Sequence, residues 1–208
     1  MCDEDNLDDL TTEELGRLFP IEILPYDKKW SVIFSEESIL IQKALGEKIA
    51  LRIEHFGSTA VEGLAAKPTI DILVEIPLLT EWLKAEVIGA MKDAGYHFIW
   101  RTDGDTPYMN FVKGYTRQGF EGNIFHVHIA DKSHSLWDRI YFRDYLRKNS
   151  YIAREYEALK INLAAKHKFD REAYTNAKCD FVKRITEIAK KEKIQFDTSI
   201  TKPDAPSQ

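Results

Sequence analysis

The residue types that could support chemistry concentrate in one stretch, where a glycine turn is followed by a carboxylate. Gly57, Ser58 and Thr59 come directly after an apolar strand pattern, and Asp71 lies at the start of the next one. Glycine permits the backbone conformation of a strand-to-helix turn, and free N–H groups at a helix N-terminus favour an anion. The Asp71 side chain would lie beside this turn, where its carboxylate could bind a metal ion. The stretch therefore predicts a phosphate-binding site beside a carboxylate.

Two histidines form a second candidate site. His126 and His128 alternate with apolar residues, so on a strand they share one face and can reach the same ion or phosphate. Buried imidazoles need hydrogen-bond partners, so the alternative is a structural pair bonded to backbone and carboxylates. Without a metal, either ring could act as a general acid or base beside Asp71.

His55, at the end of the strand before the glycine turn, completes a mixed set of ligands with Asp71, His126 and His128. The predicted cofactor is a divalent metal, Zn²⁺, Mn²⁺ or Mg²⁺. Imidazole with carboxylate suits Zn²⁺ or Mn²⁺ better than Mg²⁺, which prefers a cage made of oxygens alone.

Basic residues near these groups are candidates for neutralising a phosphate. Lys67 precedes Asp71 by four residues and can pair with a phosphate or with that carboxylate. Lys160, with Lys178 and Tyr174, is expected to line the same cleft. We therefore include Lys67 and Lys160 in the predicted ligand site.

Arg143 and Arg147 lie one helical turn apart, and two guanidiniums held together need carboxylate or phosphate oxygens. Phosphate binding is one interpretation. The alternative is a salt bridge to Asp144 or Glu155 that fastens the helix to the sheet. Under the first interpretation both guanidiniums should lie near Asp71 or the glycine turn.

The pattern along the chain positions these groups on a central sheet. We predict an acidic N-terminal helical extension over 1–20, a domain over 21–192 with cap helices from about 135, and a loose tail over 193–208. Helices first, strands in the middle and helices last indicate an α/β or α+β fold, a mixed sheet with flanking helices and a C-terminal helical cap. The predicted helices are 27–45, 80–94, 135–148, 150–167 and 171–192; the predicted strands are 49–56, 69–76, 96–101, 108–115 and 122–130, with a hairpin loop at 102–107.

Charge and composition limit the classes of partner. The 208 residues carry a net charge of −5, which argues against general binding of nucleic acid, and no apolar run has the length of a membrane span. The acidic start lacks the features of a signal peptide, so we expect a cytoplasmic protein. Oligomeric state does not follow from the sequence. The C-terminal third has a surplus of basic residues, which could serve a small phosphorylated ligand.

The glycine turn and Asp71 resemble the signature of the nucleotidyltransferase superfamily, in which Gly-Ser precedes a strand with paired carboxylates. Leu73 departs from that pattern, because residues 71, 73 and 75 share one strand face and only Glu75 follows. A site lacking one of the paired carboxylates should bind Mg²⁺ weakly. This departure puts ordinary nucleotide transfer in doubt.

Over roughly residues 20–190 the chain resembles the GrpB (UPF0157-like) family. The resemblance lies in Pro25 to Trp30, in residues 55–72, 125–128 and 142–147, and from Tyr156 to Lys160. It implies a nucleotidyltransferase-like cleft that binds or transfers a phosphorylated small molecule or nucleotide with a divalent metal. Two alternatives stay open: a non-catalytic module that binds a nucleotide or a protein, and a metal-assisted phosphoester hydrolase.

Overall fold

The computed structural model describes residue 7 and residues 9–102 and 106–200, with side chains to residue 193. Part of the hairpin loop predicted at 102–107, most of the first eight residues and the chain from 201 onward lie outside the described residues. Within the described ranges, no helix is both long enough and apolar enough to cross a lipid bilayer.

Five strands form one mixed sheet: β1 (Arg52–Phe56), β2 (Thr69–Ile76), β3 (His97–Arg101), β4 (Tyr108–Thr116) and β5 (Gly119–Asp131). Their order in the sheet is β1-β2-β5-β4-β3. Only β2 and β5 are parallel, and this pairing aligns Asp71 with His126 and Leu73 with His128. The parallel pair therefore sets the site residues side by side at the centre of the sheet.

One face of the sheet carries the main core. Alternate residues of β2, from Ile70 to Ile76, are buried there against the helices α2 (Lys29–Leu45) and α3 (Glu81–Asp93). Alternation along a strand sends the residues between them, including Asp71, to the opposite face. One face is thus left for packing and the other for the site.

The opposite face lies under a C-terminal cap of four helices. These are α4 (Asp138–Lys148), α5 (Ser150–Lys166), α6 (Arg171–Asn176) and α7 (Cys179–Ile200). The predicted mixed sheet with flanking helices and a C-terminal cap is confirmed. The prediction of a single helix over 171–192 is wrong: α6 ends at Asn176 and α7 runs from Cys179 to Ile200. In the turn between them, Lys178 N–H donates to the carbonyl of Thr175 at 3.3 Å.

The short N-terminal helix α1 (Thr12–Leu18) begins at a capping box. Glu14 N–H donates to Thr11 Oγ1, and Thr11 N–H donates to the Glu14 carboxylate. A Cβ at Gly16 would lie 1.8 Å from the carbonyl oxygen of Phe169, so the helix backbone rests directly on the loop between α5 and α6. The extension is therefore packed against the cap.

Candidate functional site

Asp71, His126 and His128 converge on the cap-facing side of the sheet. Each offers one ligand atom, and the three atoms lie within 4.8 Å of one another. His126 Nδ1 is 3.7 Å from Asp71 Oδ1. Two donors bound at about 2.1 Å to one Zn²⁺ can be at most ~4.2 Å apart, so small side-chain rotations would close the set around an ion. The structure brings together three of the four predicted ligands.

The cluster is recessed but open to water. The side chains of Asp71 and His126 keep 28% and 23% of their surface exposed. Deeper in the site, His128 Nδ1 and Asn110 Oδ1 are buried without a hydrogen bond to any described residue, although their residues are directly paired across β4 and β5. A buried polar atom without a hydrogen bond lowers the stability of the fold by about 1–3 kcal/mol. These two atoms are therefore consistent with a site that binds a ligand or a metal ion.

Both histidines of the cluster are held in the neutral form. Burial, followed by the charges of Lys67 and Arg171, lowers the pKa of His126 to about 3. Burial lowers the pKa of His128 well below its usual value. Neutral imidazoles offer a lone pair to a metal with no proton to displace. Burial raises the pKa of Asp71 although Lys67 opposes it, and a bound cation would favour its ionised form.

Tyr115 supports the cluster from behind. Its hydroxyl oxygen lies 2.7 Å from His126 Nε2, and it accepts a hydrogen bond of 3.1 Å from Arg171 Nη2. With the imidazole hydrogen on Nε2, His126 donates to Tyr115 and Nδ1 stays free on the side of Asp71. Metal-binding histidines are usually oriented by such a partner on the second ring nitrogen. Tyr115 therefore suits a positioning role for His126.

Four cations, which we call the site cations, act on the cluster: Lys67, Lys178 and Arg139 act on Asp71, and Arg171 acts on His126. Burial lowers the pKa of Lys67 to about 7, with Arg171 and Lys178 adding to the effect, and burial lowers the pKa of Lys178 to about 8. The two ammonium groups lie 5.5 and 4.1 Å from the ring centroid of Tyr174. This excess of positive charge favours an anion beside the cluster.

The predicted helical turn after β1 is present but short. Ser58–Ala60 form a single 3₁₀ turn, and Ser58 lies near Tyr156 of α5. One turn contributes little helix dipole, so the predicted phosphate-binding site on its amides stays a prediction. Gly57 has a clearer role, because a Cβ there would lie 2.3 Å from Asp71 Oδ2. The glycine leaves the space that the Asp71 carboxylate occupies.

His55, the fourth predicted ligand, lies on the wrong face for the cluster. It pairs with Ile72, whereas its neighbour Phe56 pairs with Asp71, so its ring points to the main core. There it stacks on Phe34 at 4.7 Å, and its Nε2 lies 3.0 Å from Thr59 Oγ1. The structure therefore corrects the assignment of His55 from metal ligand to core residue. Thr59, a predicted ligand-binding residue, is likewise engaged, since its hydroxyl donates to the carbonyl of residue 69.

The buried His55 predicts an acid-sensitive fold. Burial, followed by Arg147 and Arg143, lowers its pKa from 6.5 to about 4, so the unfolded state takes up the proton first. The contribution of the neutral His55 side chain to the free energy of unfolding is fully present above pH 6.5. It is lost as the pH falls toward 4, and the unfolding free energy decreases by up to about 1.4 kcal/mol per pH unit. We expect His55→Gln to reduce the pH dependence of the unfolding free energy over this window, measured by urea denaturation. His167→Gln, at the C-terminal end of α5, is the matched control; equal slopes in the two variants would contradict the prediction.

Arg143 and Arg147 lie beside the turn, but their donors are engaged by the protein. Arg143 donates to Glu54 at 2.7 Å, to Asp144 at 2.8 Å and to the carbonyl of His55 at 2.8 Å. Arg147 donates to the carbonyl of residue 60 at 2.7 and 3.0 Å. The structure supports the alternative interpretation, in which salt bridges fasten the cap to the sheet. We do not retain these arginines as phosphate ligands.

Lys160 is also part of the scaffold. Its side chain is 2% exposed, and its ammonium donates to the carbonyl of Ala65. Glu157, one turn earlier on the same helix, accepts from Ala65 N–H at 2.6 Å. Together they clamp the loop that leads into β2, so the predicted ligand role of Lys160 is not supported by its contacts.

The sequence analysis missed Tyr115, Arg139 and Arg171 as site residues. Tyr115 reaches the site because the register between β4 and β5 shifts around Gly114, whose φ is 90°. An isolated glycine inside a strand pattern often marks a bulge that re-aims the next side chain, so Gly114 was a usable signal. The two arginines come from helices of the cap, and no spacing in the sequence links them to Asp71.

The sequence and fold are both similar to those of proteins named GrpB. The sequence profile described as GrpB protein matches residues 20–188. The glutamate-rich protein GrpB of Alkalihalophilus pseudofirmus is 34% identical over 168 residues, covering 78% of this chain and 92% of that protein. A crystal structure of GrpB from Enterococcus faecalis has a TM-score of 0.70 and 31% identity, covering 82% of this chain and 98% of that one. A structure of the Cid1 poly(U) polymerase is more distant, with a TM-score of 0.48 and 11% identity over 80% of this chain and 51% of that one.

Proposed function

This chain belongs to the GrpB family, and we propose that its cleft binds a phosphorylated small molecule or nucleotide beside a divalent metal ion. The observation that carries the proposal is the convergence of Asp71, His126 and His128, whose ligand atoms lie within 4.8 Å of one another. Neutral imidazoles, an unsatisfied buried nitrogen on His128 and an excess of cations support it.

The three residues fit a metal that accepts nitrogen ligands. Two imidazoles and one carboxylate favour Zn²⁺ or Mn²⁺, and three protein ligands leave coordination positions for water or a ligand oxygen. A bound ion would polarise a phosphoryl oxygen or lower the pKa of its water. Tyr115 would hold His126 in the required tautomer, and Asp71 would supply the negative charge. The site cations would bind the remaining phosphate oxygens.

A non-catalytic module is the second candidate, and Leu73 favours it. At the place of the second carboxylate, Leu73 is 0% exposed and packs with Phe56, Tyr108, Ala130 and Leu136. An apolar cluster there offers no ligand for a second ion, so two-metal transfer chemistry is disfavoured. A chemical change in the bound ligand would indicate transfer or hydrolysis, and an unchanged ligand would indicate a binding module.

The test is metal and phosphate binding by the purified chain. After treatment with chelator, we expect one Zn²⁺ or Mn²⁺ per chain by calorimetry, with Mg²⁺ bound at least about tenfold more weakly. Phosphorus NMR of bound nucleoside monophosphates and phosphate esters would then separate binding from transfer or hydrolysis. Absence of a saturable metal site would contradict the metal part of the proposal, and absence of phosphate binding would contradict the ligand part.

Anion binding should weaken as the pH rises. The pKa values of Lys67 and Lys178 are about 7 and 8, so both ammonium groups lose charge in mildly alkaline solution. Sulfate remains a dianion throughout, and we expect its affinity to fall at least about tenfold from about pH 6.5 to about pH 9. Calorimetry at fixed ionic strength would measure this.

The control for this pH dependence is a variant in which both lysines are replaced by arginines, which stay charged over the whole pH range. In the double variant Lys67→Arg/Lys178→Arg the guanidiniums stay protonated, so the pH dependence should flatten. Lys166→Arg, at an exposed position on α5, should behave as the unmodified chain does. Equal pH dependence in all three proteins would show that these lysines do not contact the anion.

A further inference from the structure

A groove opens next to the cluster and shares two of the site cations. It has a volume of about 440 Å³, and Lys67 and Arg171 line it. The same two residues act electrostatically on His126. Arg171 donates to Tyr115 at 3.1 Å and to the carbonyl of Phe19 at 2.9 Å, and the second hydrogen on each of these two nitrogens is left for a ligand. We call this feature the N-terminal groove, because residues 20–33 form one of its walls.

The walls of the N-terminal groove are largely apolar. Leu24, Trp30, Ile33, Phe120 and Ile124 line it, and Leu24 and Phe120 are 42% and 47% exposed. Small-molecule sites are typically clefts of roughly 300–1,000 Å³ with apolar walls and a few polar groups. Here the polar groups include Thr69 and Asn123. Its size and lining suit the organic part of a small ligand.

The charges of the groove are distributed unevenly. Apart from Lys67 and Arg171, its charged residues are Glu22, Asp27 and Lys29, which sum to −1. A second anionic group inside the groove would meet these carboxylates, whereas a single phosphate at the shared cations would not. A ligand with a single phosphate therefore suits the groove better than a ligand with a phosphate at each end.

We propose that the N-terminal groove binds the apolar or aromatic body of a phosphate monoester whose phosphate lies at Lys67 and Arg171. The inference rests on the proposed function, which places phosphate in the adjoining cleft. It adds the class of ligand: one phosphate on an uncharged, largely apolar body. Ligands with a second phosphate at the far end of the body would bind more weakly.

Phenyl phosphate and inorganic phosphate are suitable probes, compared by calorimetry on the metal-loaded chain. Burial of the ring should make phenyl phosphate bind roughly tenfold more tightly. Leu24→Trp narrows the groove and keeps the backbone bridge between residues 24 and 66, so it should greatly reduce that advantage and leave inorganic phosphate unchanged. Leu24→Ala should reduce the advantage in part, and Ile39→Trp on the exposed side of α2 should keep it.

The outcomes separate the two proposals. If the unmodified chain binds neither probe, the proposed function fails. If it binds both equally, or if Leu24→Trp weakens both alike while Leu24→Ala changes nothing, phosphate binding stands and the groove inference falls. Unfolding curves of the variants show whether either substitution acts through stability instead.

Discussion

Replacing Asp71 with asparagine should weaken Zn²⁺ or Mn²⁺ binding by at least about 100-fold, because loss of a residue that only orients a ligand typically costs 10–100-fold and Asp71 is itself a ligand. The substitution keeps the shape of the side chain and removes the only carboxylate of the cluster. The two imidazoles that remain are neutral and supply no charge to balance the ion. Calorimetry with a competing chelator would measure the loss.

Two further variants make the result specific. Glu75→Gln removes a carboxylate from the same face of β2, two pleats along and outside the cluster, so metal affinity should not change. Tyr115→Phe removes the partner of His126 Nε2 and should weaken the metal by about 10–100-fold with one site retained. Similar losses for Asp71→Asn and Glu75→Gln would mean that overall charge, and not coordination, governs the binding.

Much of the sheet could be predicted from the sequence, because its strands alternate clearly or are continuously apolar. β2 spans Thr69–Ile76, the same residues as predicted, and β5 begins three residues before its predicted start. Alternation also placed His126 and His128 on one face. The parallel pairing of β2 with β5, which sets Asp71 beside His126, was not predicted, because alternation along a strand does not show which strand is its neighbour.

His55 shows where alternation alone gives the wrong answer. Its position at the rim of the sheet was correct, but the face depends on the antiparallel register of β1 with β2. A shift of one residue reverses the face of every side chain on a strand. The register of β1 with β2 could not be predicted from the sequence pattern. In the structure it places Phe56, and not His55, on the same face as Asp71.

The basic residues show a second limit, which is competition among partners. Arg143, Arg147 and Lys160 are near the predicted cleft, yet backbone carbonyls and carboxylates hold their donors. Spacing indicates that a cation needs an oxygen, and it does not indicate which oxygen. Lys67 and Lys178 differ because their ammonium groups lie over the ring of Tyr174 and close to other cations, an arrangement that a bound anion would stabilise. Only the packing of the cap distinguishes the two groups.

Gly57→Ala should destabilise the fold by about 2–4 kcal/mol, because a strained backbone and a steric clash each contribute. Gly57 has φ 74° and ψ −174°, a region almost confined to glycine, and the added Cβ would lie 2.3 Å from Asp71 Oδ2. The clash would also push the carboxylate away from its place in the cluster, so metal affinity should fall with stability. Urea denaturation and metal titration would measure the two effects.

Gly63→Ala separates the backbone strain from the clash. Gly63 has φ 77°, and a Cβ added there would have no atom within 4 Å, so its substitution should cost only the left-handed backbone, about 1–2 kcal/mol. In a chain that already carries Asp71→Ala, the cost of Gly57→Ala should fall but stay above that of Gly63→Ala, because the carboxylate is gone while the Cβ of residue 71 remains 3.0 Å from the added Cβ. A cost of Gly57→Ala that is the same with and without Asp71 would show that the glycine serves the turn alone, and that Asp71 is positioned by other contacts.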